Sequence, residues 1–425
     1  MKSKPVENLR FNFIVNVMDG GFFGAALGFA SFFTIIPLFI GSLTDSAVLI
    51  GLIPAIHAVG WQLPQLFTAQ KVSSLSRYKQ MAMMMTLNER LPFVGLAIVA
   101  WFSPQLGVQL SLILSFILLV WQGFGGGFTA TAWQSLIAKI MPVEMYGRFF
   151  GIQSAAATFF MGIAAILAGL VLTDYTSPLD FTLCFLIAAV MMAFSFLSLA
   201  LTREQEAPPA ASHHPEGFNF REDLRNILST DNNFRWYVLS RMLTQFATMG
   251  FAFYTIYAVR EFGMDEKLVG FLTGILLFTE VAMNPILGWL GDRRGHLLTL
   301  QIGTVATIAS VLLAVFASSV AWFFPIFILA GVANVAVWTV PLSITLEFGT
   351  EAQRPTYIGL SNTLIAPATF IAPVLAGVLI DKSGYDISFL VSGAAGLITL
   401  LVLILGVKDP RQHALARRAS SPTAD

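Results

Sequence analysis

Gly288-Trp289-Leu290-Gly291-Asp292-Arg293-Arg294-Gly295-His296 is a short charged stretch between two long apolar ones. It reads as a hinge, with one acid and two arginines held at a helix end among glycines. Nearly everything around it is built to dissolve in lipid. Of 425 residues, 56% are hydrophobic and 11% charged, against about 25% charged in soluble proteins. A water-soluble fold cannot hide that much apolar surface. Repeated apolar runs of roughly 20 residues are what a hydrocarbon core ~30 Å thick demands of a spanning helix. The runs are continuous, without the two-residue alternation of barrel strands, so helices are expected.

The formal net charge is zero, which gives no reason to expect nucleic acid as a partner. One cysteine, Cys184, cannot make an internal disulfide or a cysteine-based metal site alone. Residues 1–10 are polar and lead into a long apolar run, so no removable signal peptide is expected. No Walker loop, nucleophile elbow or H-E-x-x-H zinc signature occurs, so neither an enzyme nor an ATP-driven pump is expected. No cofactor is implied.

Apolar runs between charged or turn-rich breaks give about twelve helices. They fall at 12–40, 46–69, 81–102, 106–138, 146–172, 181–201, 234–259, 267–290, 297–317, 321–345, 356–380 and 387–407. The expected organisation is a first six-helix bundle in 1–201, a linker in 202–233, a second bundle in 234–407 and a tail in 408–425. The linker carries Pro208-Pro209 and His213-His214-Pro215, and a short amphipathic helix is expected at 218–228. Two histidines alone do not make a metal site. With the N-terminus in the cytoplasm, Lys71, Arg77, Lys79, Lys139, Arg148, Arg203, Arg293, Arg294 and Arg354 all fall inside, and only Arg260, Lys267 and Lys382 fall outside. This bias places both termini in the cytoplasm and the chain in a plasma or inner cell membrane.

The halves echo each other. Ala132-Trp133, Arg148, Gly151, Gly169 and Asp174 are matched by Val337-Trp338, Arg354, Gly359, Gly377 and Asp381, at an offset of about 206. Paired six-helix bundles with internal repeats are the pattern of transporters whose halves rock about a central site.

These features together resemble the major facilitator superfamily over essentially the whole chain. The family signature between the second and third helices of a half has the form G-x-L-[AG]-D-R-x-G-[RK]. Gly288, Leu290, Gly291, Asp292, Arg293 and Gly295 match it, with His296 at the basic place. The resemblance implies a conformational switch built from Gly288, Asp292, Arg293 and Gly295 with Arg148 and Arg354. Glycine permits close helix approach, and Asp292 is suited to bonds from a helix N-terminus or an arginine such as Arg354. The first-half counterpart, 67–79, has no aspartate, so control of closure is expected to rest on the second half. The exporter signature R-x-x-Q-G is present only as Gln122-Gly123, with Leu119 in place of its arginine. The sugar-porter marks are missing at Leu201-Thr202-Arg203-Glu204 and Lys408-Asp409-Pro410-Arg411.

Ionisable groups within spans cost on the order of 2.5–3.5 kcal/mol each on insertion scales. Asp19, His57, Glu89, Arg90, Arg241 and Glu280 are such groups, and all are candidates for intramembrane charge pairing or proton coupling. Asn12, Asn16 and Asp19 share one face of the first helix, and Arg241, Gln245 and Thr248 share one face of the seventh. At 1.5 Å per residue, Asp19 and Arg241 lie at a similar depth of roughly 10–12 Å, so an Asp19–Arg241 pair is one expectation and an Asp19–Arg90 pair the other. Burial in lipid penalises a carboxylate anion, which makes Asp19 and Glu280 candidate proton carriers. The resemblance places the first, fourth, seventh and tenth helices around the cavity. It thereby implies Asn16, Trp121, Gln122, Gln245, Asn334 and Trp338 as lining candidates.

The expected function is secondary active transport of a small molecule by alternating access, as a functional monomer, with proton-coupled export of amphipathic or hydrophobic compounds foremost. An uptake symporter or facilitator for a polar metabolite is the alternative within transport. A non-transporting receptor or scaffold is the alternative outside it.

Overall fold

The computed structural model describes residues 8–44, 46–205, 220–264, 266–350 and 353–410, and these are helical almost throughout, with no strand among them. The His213-His214 pair and the tail from 411 lie outside the described residues. The first expected span is two helices, α1 (Leu9–Phe29) and α2 (Ile35–Leu43). The second is also two, α3 (Ala47–Gln62) and α4 (Gln65–Ser73), parted at Leu63-Pro64. The third and fourth run through α5 (Tyr78–Ile140), which turns at Gly107 with φ 75°. Only glycine adopts that conformation readily, and it falls just past the expected break at 103–105. α6 (Tyr146–Asp174) and α7 (Leu179–Ala200) follow.

The expected linker helix is α8 (Phe220–Thr230). The seventh span is split into α9 (Asn232–Ala247) and α10 (Tyr254–Phe262) by a single 3-10 stretch at Met249–Phe253. Then come α11 (Glu266–Arg294), α12 (His296–Val315), α13 (Phe323–Trp338), α14 (Val340–Thr345), α15 (Arg354–Thr363), α16 (Ala366–Ser383) and α17 (Tyr385–Leu405). Among the described residues, eight helical stretches are by themselves long and apolar enough to cross a membrane. One of these, α5, holds two of the expected crossings. The three interrupted spans complete the expected set.

The hinge reading of 288–296 needs correction. α11 continues through Arg294 and α12 begins at His296, so the whole turn is Gly295, with φ 96°. Helix continues because Asp292 finds a partner outside it, and a charged stretch need not become a loop to keep its charges solvated.

Contacts group the chain into two units. One comprises 1–142, 153–213 and 352–366; the other comprises 143–152, 214–351 and 367–425. These differ from the bundles expected at 1–201 and 234–407, because the start of α6 groups with second-half helices and α15 with first-half ones. Within the first unit α1 packs on α7, α5 on α7, and α3 on α5. Within the second, α9 packs on α17, α12 on α17, and α11 on α13. That is the same set of neighbours twice.

The repeat reaches single hydrogen bonds. Asn12 Nδ2 donates to the Arg203 carbonyl at 2.8 Å, and Arg203 N donates back to Asn12 Oδ1 at 2.8 Å. Asn233 Nδ2 donates to the Lys408 carbonyl at 2.8 Å, and Lys408 N donates back to Asn233 Oδ1 at 2.7 Å. An amide side chain offers one acceptor and a donor group, so it satisfies both backbone groups of a residue beyond a helix end.

The glycine stripe of α1 serves close packing. A Cβ on Gly24 would run into the Ala157 backbone, and one on Gly28 into the Met161 carbonyl. Apolar clusters fill both units, one around Phe39, Phe93 and Phe185 and the other around Tyr254, Phe323 and Phe389. Many large apolar side chains stay exposed, among them Ile166, Phe278 and Leu405, as a lipid-facing surface requires.

Candidate functional site

The first four N–H groups of an α-helix have no partner within it, and its N-terminus carries partial positive charge. At the start of α6 two of those groups meet Asp292. Its Oδ1 accepts from Gly147 N at 2.7 Å and its Oδ2 from Arg148 N at 2.8 Å. Arg148 Nε adds a third bond at 3.2 Å. The approach is possible because Gly147 and Gly288 face each other: a Cβ on either would collide with the carbonyl of the other. Behind the carboxylate lies His296, with Nε2 3.8 Å from Asp292 Oδ1 and Nδ1 2.7 Å from Glu347 Oε1. His296 and Glu347 are almost wholly buried. Arg293 stacks on Trp289, 4.3 Å from its ring centre. The arginine beside Asp292 is thus Arg148, while Arg354 opens α15.

A second clasp occupies the related place, where α15 meets α4. Asn362 Nδ2 donates to Gln65 Oε1 at 2.7 Å. Thr363 Oγ1 lies 3.2 Å from the carbonyls of Gln62 and Leu63, and Leu66 N donates to that hydroxyl at 3.3 Å. Gly359 permits the approach, because a Cβ there would meet Leu66 Cα at 2.9 Å. The expectation that closure rests on the second half took no account of this contact: the first half has no aspartate, and α4 meets α15 there through neutral amide and hydroxyl groups.

Of the two partners open to Asp19, the structure supplies Arg90, whose Nη2 lies 3.1 Å from Asp19 Oδ1. Ser195 donates its hydroxyl to the same oxygen at 2.5 Å and accepts from Arg90 at 2.7 Å. Glu89 Oε2 is 3.7 Å from Arg90 Nη1, and its Oε1 points toward Gly126. All four side chains are buried. Asn16, expected to line a cavity, is turned to the chain beyond α7 and donates to Thr202 Oγ1 at 3.0 Å. The shared face of Asn12, Asn16 and Asp19 therefore addresses the end of α7.

Arg241 is buried beside Tyr237, 6.0 Å from its ring centre. It borders a small cavity of about 20 Å³ with Ser240, Thr244, Gln245, Thr304 and Thr307. Gln245 Oε1 accepts from Thr369 at 3.3 Å. Glu280 Oε1 accepts from Asn334 Nδ2 at 2.8 Å, joining two candidates read separately from the sequence. His57 Nδ1 is 3.2 Å from Gln122 Oε1, and its ring stacks on Phe32 at 3.9 Å. Trp121 donates to Asn88 at 3.2 Å. Trp338 is exposed.

Sequence reading missed two acids. Glu347 holds His296, and Glu204 caps the start of α5, accepting from Tyr78 N at 2.9 Å, Lys79 N at 2.8 Å and Lys139 Nζ at 2.8 Å. Both follow directly on a span end, where an acid reads as solvated.

The profile of the Major Facilitator Superfamily matches residues 87–259 and again 253–424. A cis,cis-muconate transport protein of Acinetobacter baylyi is 25% identical over 324 residues, 72% of this chain and 76% of that protein. The vesicular acetylcholine transporter of Mus musculus is 28% identical over 159 residues, a match spanning 37% of this chain and only 30% of that relative's length. Among solved structures, the transporter FucP in its outward conformation superposes with a TM-score of 0.77 at 16% identity, over 95% of this chain and 100% of that one. A bacterial homologue of the iron transporter ferroportin, outward-facing, gives 0.75 at 15% identity, over 92% and 98%. These two likenesses speak to the fold. Two matches of one family profile, covering most of the chain in succession, agree with the doubled helix contacts and the doubled asparagine bonds. The chain belongs to the Major Facilitator Superfamily and is a multi-pass membrane protein.

Proposed function

We propose that this protein is a secondary active transporter that alternates access to a central site, with transport coupled to protons through Asp19 and Glu280. The observation carrying this reading is the pair of clasps. Asp292 ties a second-half helix to the start of α6, and Asn362 and Thr363 of the second half tie to Gln65 and Gln62 of the first. Each holds few bonds at glycine contacts, which suits joints that form and release once per cycle. Rocking of 1–201 against 234–407 requires both to open.

Two cargo classes follow from different observations. A small organic anion is favoured by Arg241 among hydroxyl and amide side chains and by the muconate transport relative, whose match is long. Export of an amphipathic compound is supported by the exposed indoles of Trp121 and Trp338. The protein acts as a monomer in a cell membrane with both termini cytoplasmic.

Purified protein in vesicles tests the reading, with cis,cis-muconate and a lipophilic cationic dye as probes and a pH gradient imposed or withheld. The expected result is gradient-driven flux of muconate that Glu280→Gln uncouples from the gradient. Equal muconate flux with and without the gradient overturns proton coupling. Dye extrusion without muconate flux moves the cargo to the second class.

A further inference from the structure

Arg90 is one guanidinium between two carboxylates. Asp19 reaches it from α1 and Glu89 from the preceding position on α5, and all three side chains are buried. Among the described residues Arg90 is the cation that acts on both acids. The other groups around them are uncharged. The Phe23 ring of α1 lies 5.6 Å from the guanidinium, Ser195 comes from α7, and Thr86 and Gly126 of α5 stand beside Glu89 with Trp61 of α3 close by. Two anions and one cation leave a net negative charge, and an uncompensated charge buried within a membrane span is costly. A single bound proton brings the cluster to neutrality.

The two carboxyl groups are held differently. Asp19 Oδ1 accepts from Arg90 Nη2 at 3.1 Å and from the Ser195 hydroxyl as well, and paired donors on one oxygen serve an anion. Glu89 Oε2 stands 3.7 Å from Arg90 Nη1, too far for a hydrogen bond. Its Oε1 lies against Gly126, where a Cβ would come within 2.9 Å of it and where no side chain can donate. Nor is the guanidinium spent on Asp19. It meets that carboxylate through one nitrogen, and its Nε has no hydrogen-bond partner among the described residues.

We propose that Glu89 is the proton-binding group of this cluster. Protonated, it leaves Arg90 to Asp19 and Ser195, the arrangement seen here. Deprotonated, it draws the guanidinium away from Asp19 and loosens the seam between α1 and α7. This rests on the reading above that protons act through Asp19, and names the carboxyl whose proton controls the cation that Asp19 holds.

Infrared spectroscopy of the purified full chain tests this without a transport assay. A Glu280→Gln background removes the other carboxyl proposed to take a proton. There the expected spectrum at neutral pH contains the carbonyl band of a protonated, buried carboxyl. The band is expected to shift when glutamate alone carries heavy-isotope carbon in its side-chain carboxyl, and to be lost in Glu89→Gln. It is also expected to be lost in Asp19→Asn, because Glu89 then ionises as the one partner left to Arg90. The labelled Asp19→Asn protein decides the matter should Glu89→Gln fail to fold. A band that labelled glutamate does not move assigns the proton to an aspartate and overturns the proposal. So does a band that survives Glu89→Gln, or a spectrum with no such band. Muconate flux indifferent to the pH gradient refutes the coupling alone, since the infrared band is read without it.

Discussion

Replacing Asp292 with asparagine removes a carboxylate that is 3% exposed and accepts three hydrogen bonds at the start of α6. A hydrogen bond to a charged group contributes about 1.5–3 kcal/mol. The two backbone donors belong to a helix N-terminus, whose partial charge adds to them. The Arg148 side chain is 46% exposed, so solvent screening holds its share to about 1 kcal/mol or less. Asparagine keeps an acceptor oxygen and hence about 1 kcal/mol of one neutral bond. The net loss is at least about 2 kcal/mol, which shifts the ratio of open to closed clasp by about 30-fold or more. Asn284 provides the reporter: it is 3% exposed, and its carbonyl packs against Gly151 two helical turns behind Asp292. In an Asn284→Cys background the native Cys184 is buried and silent. Alkylation by a membrane-impermeant maleimide is expected to accelerate about 30-fold or more with Asp292→Asn, and less than about fivefold with Arg148→Ala. An unchanged rate in Asp292→Asn, or an equal effect of the two substitutions, refutes the assignment of the clasp to the helix N-terminus.

At the neutral clasp, Asn362→Ala removes one uncharged bond worth about 1 kcal/mol, so the same maleimide assay should show an acceleration of about fivefold. Arg90→Ala strands the buried Asp19 carboxylate, and a thermal melt in detergent should report a loss of about 3–5 kcal/mol; adding Asp19→Asn is expected to recover part of it. Gly24→Ala drives a methyl into the Ala157 backbone, whereas nothing lies within 4 Å of a Cβ on Gly162. The first is expected to cost about 1–3 kcal/mol and the second to be neutral or stabilising by about 0.5–1 kcal/mol, both read from the melting temperature.

The helices were legible because lipid imposes one rule on every span, and Ser103-Pro104 interrupts it visibly just before the turn at Gly107. The Asp292 clasp was legible because a motif of glycines around an acid has few other uses. A helix N-terminus was legible as the kind of partner it takes, but not that it is the start of α6, since a backbone N–H leaves no mark on a residue name. The Gln65–Asn362 clasp stayed hidden for a related reason: neutral amides occur everywhere and carry no cost that demands an explanation. Glu204 and Glu347 stand just beyond span ends, where an acid reads as hydrated. The tell for both was available only in hindsight, as a distant basic residue at a helix end, Lys139 for the one and His296 for the other. The periodicity correctly grouped Asn12, Asn16 and Asp19. It gave their shared direction and not the neighbour they face, so the cavity place that the family resemblance implies for Asn16 went unchecked, and Asn16 is found bonded to Thr202.

Asn12 and Asn233 each fasten the beginning of one six-crossing segment to its own end. Such stitching makes each segment a closed loop of helices, with its first and last members sewn together by four atoms rather than by the peptide chain between segments. The peptide connection between the two segments is then not what closes either of them.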